Sequence, residues 1–60
     1  MKEKWMDYLF TDDETGEEFL VETKKGLDDA TAIAERYFKD PKFHYAMTPE
    51  MADILGLDTY

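Results

Sequence analysis

The chain contains no cysteine, which excludes disulfide bonds, thiolate zinc sites and cysteine nucleophiles. Serine, asparagine and glutamine are absent as well. Their absence removes the serine nucleophile of many hydrolases and the amide side chains that read adenine in a DNA groove. The sequence therefore excludes catalysis by a serine or cysteine nucleophile and recognition of adenine by amide side chains.

Long apolar runs are also missing, so no segment is typical of a signal peptide or of a membrane-spanning helix. We therefore expect a cytoplasmic protein without membrane contact. Basic residues are few: seven Lys and Arg stand against fifteen Asp and Glu, which gives a formal net charge of −8. This charge opposes binding to a phosphate backbone, so direct nucleic-acid binding is not expected.

The chain does have enough apolar residues to form a hydrophobic core, because 43% of its residues are hydrophobic and 15% are aromatic. A disordered acidic tail would lack these residues. Residues 1–60 are long enough for one domain, which at this size buries only about 60% of the surface exposed on unfolding. Little room is left for a catalytic cleft, and we expect a protein that is not an enzyme and has no cofactor.

Two aromatic-rich segments, residues 5–11 and 18–24, predict an antiparallel hairpin closed by the loop 13–16. A four-residue loop pairs Met6 with Thr23, Tyr8 with Val21, and Phe10 with Phe19. Cross-strand packing of these bulky side chains favours this register over a three-residue loop.

The same register places three apolar side chains on the opposite face of the hairpin: Trp5, Leu9 and Leu20. If no helix covers them, they form an exposed apolar patch, and tryptophan is enriched among interface hot spots. If the second helix covers them, they form a second small core. The sequence leaves both alternatives open. Lysines 2, 4, 24 and 25 would gather at the open end of the hairpin.

The next elements are a helix, a strand and a second helix. Asp28 is the expected N-cap of the first helix, whose apolar stripe runs through Ala30, Ala34 and Phe38 to its end at the 40–41 step.

The third strand is expected over residues 42–47, with Phe43, Tyr45 and Met47 on one side. Thr48 caps the second helix and Gly56 ends it. The inner side of this helix is expected to carry three apolar residues: Met51, Ile54 and Leu55.

These elements predict an α+β fold in the order β-β-α-β-α, with a three-stranded, mostly antiparallel sheet in the order 2-1-3 and two helices packed on it. The first strand is central because it is apolar on both faces. We expect the helices on the face that carries Tyr8 and Phe10, although the sequence leaves the face covered by the second helix open.

Four features could carry chemistry. The acidic tip of the hairpin, composed of Asp12, Asp13, Glu14, Glu17 and Glu18, lacks the spacing of an EF-hand and is interpreted as a solvated turn. His44 is the single histidine and is interpreted as an ordinary strand residue. The pairs Asp28–Asp29 and Asp7–Glu22 are interpreted as capping and as surface charge. No metal site or catalytic site is expected.

The hairpin that leads directly into the segment 27–34, Leu-Asp-Asp-Ala-Thr-Ala-Ile-Ala, resembles the small HicB-type antitoxins over about half of the chain. Those proteins usually place a third strand before the helix, and Lys25-Gly26 leaves no room for one. The chain is therefore not assigned to that family.

The sequence supports two hypotheses about function. The first is a non-enzymatic protein-interaction module that binds an unknown protein or a second copy through Trp5, Leu9 and Leu20. The second is an acidic mimic of nucleic acid that occupies the basic groove of a DNA- or RNA-binding protein, with the hairpin tip as its acidic patch.

Overall fold

The structure is a computed structural model that describes residues 4–60. Its five elements are β1 (Met6–Asp12), β2 (Glu18–Thr23), α1 (Leu27–Tyr37), β3 (Pro41–Met47) and α2 (Pro49–Leu55). The strands form one antiparallel sheet in the order β2-β1-β3. The predicted α+β fold, element order and strand order are therefore confirmed. The prediction for Lys2 lies outside the described residues.

The hairpin has the predicted register, with Phe10 paired to Phe19 and Tyr8 paired to Val21. Gly16 has a φ of 77° in the loop, a left-handed conformation that glycine adopts without strain. Phe10 and Phe19 stack with their ring centroids 5.6 Å apart. The predicted register thus brings Phe10 and Phe19 together on one face, where their rings stack.

Asp12 lies at the end of β1 and holds the hairpin tip to the start of β3. Its Oδ2 accepts a 3.0 Å hydrogen bond from Thr15 Oγ1, and its Oδ1 accepts a 3.0 Å bond from the backbone N–H of Asp40. Only 2% of Asp12 is exposed. The prediction that Asp12 belongs to an acidic surface patch is therefore wrong, because its carboxylate satisfies backbone and hydroxyl donors inside the fold.

Helix α1 packs on one face of the sheet, which we call the α1 face. Its core consists of buried residues from the hairpin and the helix: Phe10, Phe19, Val21, Ala30 and Ala34. The predicted N-cap at Asp28 is wrong, because Gly26 occupies that position with no capping side chain. Asp29 instead accepts a 2.6 Å hydrogen bond from Thr23 Oγ1, which ties the helix to the end of β2.

Strand β3 contains a bulge that changes the predicted alternation of its side chains. Leu9 pairs with Tyr45 whereas Phe10 pairs with Phe43, so His44 is an extra residue between the two pairs. Phe43 consequently lies on the α1 face, with its ring 5.8 Å from that of Phe10, while Tyr45 lies on the other face. The prediction that Phe43 and Tyr45 share a face is wrong.

The C-terminal segment runs along the outer edge of β2. Leu20 donates a 2.8 Å backbone hydrogen bond to Asp58 and accepts another of 2.8 Å from Tyr60. A sheet edge is thereby covered, and the ring of Tyr60 packs edge-on against Phe19 at 5.7 Å. The last residues thus cover the free edge of β2 and place an aromatic ring against the core of the α1 face.

Candidate functional site

Leu9 and Leu20 lie on the sheet face opposite α1, as the register predicted, but they are not exposed. Leu20 is 1% exposed and Leu9 is 7% exposed, because α2 covers this face. Both leucines belong to a second core with Met47 and Ala52. The expected apolar docking patch is therefore replaced by a small core, and Leu9 and Leu20 cannot contact a partner in the folded chain. We call this side of the sheet the α2 face.

Trp5 remains accessible, with 53% of its surface exposed. The Lys24 ammonium lies 5.3 Å from the centroid of the indole ring, a cation–π contact that covers part of the ring. Without its two leucine companions, Trp5 is an isolated exposed side chain, and such residues are normal on protein surfaces.

Helix α2 presents apolar side chains to solvent. Its caps are as predicted, since the Thr48 hydroxyl accepts from the backbone N–H of Met51 and Gly56 is left-handed at φ 66°. Its predicted inner side is wrong, because Ala52 is the buried residue of the helix. Three residues spaced i, i+3 and i+4 instead form what we call the α2 outer face: Met51, Ile54 and Leu55.

The α2 outer face is unusually open for apolar side chains. Ile54 is 85% exposed, Met51 57% and Leu55 45%. Tyr45, on the same side of the sheet, is 53% exposed. The small Ala52 side chain allows α2 to rest closely on Leu9 and Leu20, and that orientation turns the larger residues outward.

The charged residues of α2 and of the segment that follows it are all acidic. Glu50, Asp53 and Asp58 are exposed, and the sequence contains no Lys or Arg after Lys42. The surface therefore combines apolar anchors with negative charge, which is a pattern that a basic and apolar surface would complement.

A cavity of about 220 Å³ lies on the other side of α2, and we call it the acidic pocket. Three carboxylates line it: Asp7 from β1, Glu22 from β2 and Asp53 from α2. Asp7 and Glu22 are direct cross-strand partners, so their side chains leave the same face of the sheet.

Asp7 is the central group of the acidic pocket, with only 2% of its surface exposed. Burial raises the pKa of its carboxyl group, and the negative charges of Glu22 and Asp53 raise it further. Among residues 4–60, no side chain or backbone group donates a hydrogen bond to the Asp7 carboxylate. The interpretation of Asp7 as ordinary surface charge is wrong, because α2 covers it.

The remaining polar candidates have structural or surface positions. His44 Nε2 lies 2.6 Å from Thr11 Oγ1 in an exposed contact. Within the described part of the chain, no three His, Asp or Glu side chains are arranged to hold a metal ion. No helix of residues 4–60 is long and apolar enough to cross a membrane. At the hairpin tip, four acidic residues are exposed: Asp13, Glu14, Glu17 and Glu18.

Sequence reasoning named Asp7 and Glu22 as a cross-strand pair but missed Asp53 and the burial of the site. The pairing follows from the hairpin register, whereas the third carboxylate depends on where α2 packs. No family model matches the chain, and neither a curated protein nor a solved structure matches it.

Proposed function

We propose that this chain is a non-enzymatic protein-interaction module that binds a partner protein through the α2 outer face. The observation that carries this proposal is the exposure of Met51, Ile54 and Leu55 on a helix whose inner side rests on Ala52. Exposed apolar patches on small proteins usually mark contacts. The cytoplasmic location and the absence of catalysis expected from the sequence remain predictions and belong to the same proposal.

Charge favours a basic partner over a second copy of the chain. Two copies joined through α2 would bring Glu50 and Asp53 of one copy close to the same acidic surface of the other. Like charges brought together at an interface oppose association. A partner with Lys or Arg around an apolar pocket would instead complement both the anchors and the net charge of −8.

The size of the α2 outer face suggests a transient contact. Each of its apolar side chains contributes about 1.5–3 kcal/mol when fully buried. The association itself costs about 4–15 kcal/mol in lost freedom. Since three anchors roughly offset that cost, complementary charge has to supply the remaining affinity, and binding should weaken as the salt concentration rises.

The test compares wild type with Ile54→Asp and with Leu27→Asp as the matched control. Leu27 is exposed at the start of α1, on the other side of the sheet, so its change alters charge without touching α2. Each chain is used for quantitative capture from host lysate, and recovered proteins are then purified and titrated. The proposal expects a basic protein whose Kd rises at least about tenfold with Ile54→Asp and stays within about twofold with Leu27→Asp.

Two results would overturn this proposal. One is a wild-type chain that sediments as a dimer and that Ile54→Asp makes monomeric, which would indicate self-association. The other is the absence of any basic protein whose retention depends on Ile54.

The acidic mimic remains a second candidate because four carboxylates at the hairpin tip are exposed. This function predicts a partner that DNA or RNA displaces from the chain. Its retention should fall with Glu14→Gln and Glu17→Gln together and stay unchanged with Ile54→Asp. Retention that is insensitive to salt would argue against mimicry, since exposed charges are screened.

A further inference from the structure

The acidic pocket gathers negative charge from three different elements, β1, β2 and α2. Among residues 4–60, no Lys or Arg lines it. Only 2% of the surface of Asp7 is exposed, and within residues 4–60 no group donates a hydrogen bond to its side chain. Because no fully buried side-chain oxygen of residues 4–60 lacks a hydrogen-bond partner, the Asp7 oxygens face the open pocket, where a donor from outside the chain can reach them.

The walls of the acidic pocket are partly apolar. Pro49, Ala52 and Leu57 line it beside the carboxylates. A volume of about 220 Å³ is larger than a single ion needs and smaller than the usual range of about 300–1,000 Å³ for drug-sized ligands. It therefore matches one cationic head with a short aliphatic stem, of the kind that buries its methylene groups while its charge finds polar partners.

The arrangement of the three carboxylates favours an organic cation over a metal ion. Within the described residues, no three acidic or histidine side chains are arranged to hold a metal. Carboxylates distributed around a cavity instead suit a group with several N–H donors that point in different directions. An ammonium group has three such donors and a guanidinium group has five.

We propose that the acidic pocket binds an ammonium or guanidinium group on a short aliphatic stem, with Asp7 as the central acceptor and Glu22 and Asp53 around it. The group can come from a Lys or Arg side chain of a protein or from a small free amine. This inference does not require the α2 outer face to bind anything, because it concerns the opposite side of the helix.

The test is a titration followed by amide chemical shifts of the full chain. The probes are n-butylguanidine and n-butylamine, and n-butanol is the uncharged control with the same stem. The variants are Asp7→Asn and Asp53→Asn, and Glu14→Gln at the hairpin tip is the matched control that removes the same charge elsewhere. Asp53 is exposed, so its variant reports on binding even if Asp7→Asn alters the fold.

The proposal expects saturable shifts at Asp7, Ala52, Gly56 and Leu57 with at least one charged probe and none with n-butanol. Affinity should fall at least about tenfold with Asp7→Asn and at least about threefold with Asp53→Asn, and should stay within about twofold with Glu14→Gln. The proposal is overturned if the shifts spread over the whole acidic surface, or if all three variants weaken binding equally.

Two further probes distinguish the sources of the cation. A Gly-Arg-Gly peptide that binds more tightly than n-butylguanidine, with a Gly-citrulline-Gly peptide inactive, indicates a protein side chain. Spermidine that binds more tightly than the peptide indicates a free amine. Either ranking supports the cation site, and failure of all the charged probes contradicts it while leaving the capture experiment on Ile54→Asp unaffected.

Discussion

Replacing Leu20 by alanine tests whether the α2 face is a core or a docking surface. Leu20 is 1% exposed and packs with Leu9, Met47 and Ala52. Leu→Ala changes in cores cost about 2–5 kcal/mol. We expect a value near 3 kcal/mol, because α2 is held through a single buried residue and can partly relax into the space.

Trp5→Ala is the matched comparison, because Trp5 was expected on the same surface. With 53% of its surface exposed, Trp5 is much less buried than Leu20 and belongs to neither core. Its truncation also removes the contact with the Lys24 ammonium, and exposed contacts of this kind contribute about 0.5–1 kcal/mol. The structure therefore predicts that Leu20 contributes more to the free energy of unfolding than Trp5 does.

Urea denaturation followed by far-ultraviolet circular dichroism measures both effects. A domain of this size has a total stability of about 3–9 kcal/mol, so Leu20→Ala removes a large share of it. With 4–8 °C per kcal/mol for domains of about 60–100 residues, its Tm should fall by roughly 12–24 °C. If Leu20→Ala is too unstable to measure, Leu20→Val removes one methylene group and should cost about 1 kcal/mol.

The reasoning is refuted if Leu20→Ala stays within about 0.5 kcal/mol of wild type with an unchanged denaturant slope. A larger loss for Trp5→Ala than for Leu20→Ala would also contradict it, since the order of burial would then not explain stability.

Three other predictions concern the buried carboxylates and one glycine. Burial and its acidic neighbours raise the Asp7 pKa in the folded chain. At pH values between the pKa of Asp7 in the unfolded chain and its raised pKa in the folded chain, the folded chain therefore binds more protons than the unfolded one. Stability should therefore fall as the pH rises through this window, and Asp7→Asn should be more stable than wild type at pH 7 with a flatter pH profile in urea denaturation. Although burial opposes ionisation of Asp12, hydrogen bonds from Asp40 and Thr15 hold its pKa below the usual value. Asp12→Ala should thus be less stable at pH 7, and thermal melts should show the gap to wild type closing as the pH falls through the lowered pKa. Gly26 has φ 98° and ψ −177°, a region open almost only to glycine, so Gly26→Ala should cost about 1–3 kcal/mol in the same melts.

The local elements and the strand order could be predicted from the sequence. The register of the hairpin follows from the loop length that pairs Tyr8 with Val21 and Phe10 with Phe19, since shifting the pairing by one residue would reverse a whole strand. The ends of α2 follow from Thr48 and Gly56, whose capping roles depend only on neighbouring backbone groups. The predicted cap at Asp28 was wrong because the N-cap is Gly26, two residues earlier in the chain.

The candidate sites could be predicted only in part. Asp7 and Glu22 were correctly paired across the hairpin, yet their common pocket exists because Asp53 on α2 packs above them. Similarly, the bulge at His44 moves Phe43 to the α1 face, and nothing in the alternation of residues 42–47 indicates it.

The sequence by itself determined the hairpin register and the side chains that share each of its faces, because strand alternation and loop length act between residues that are close in the chain. The tertiary structure decided what covers each face. Because the Ala52 side chain is small, α2 packs closely on Leu9 and Leu20. The larger apolar residues of the helix therefore face solvent, and the helix covers Asp7. That outcome depends on how a short helix fits a sheet surface formed by distant residues, and such fit is absent from any local pattern.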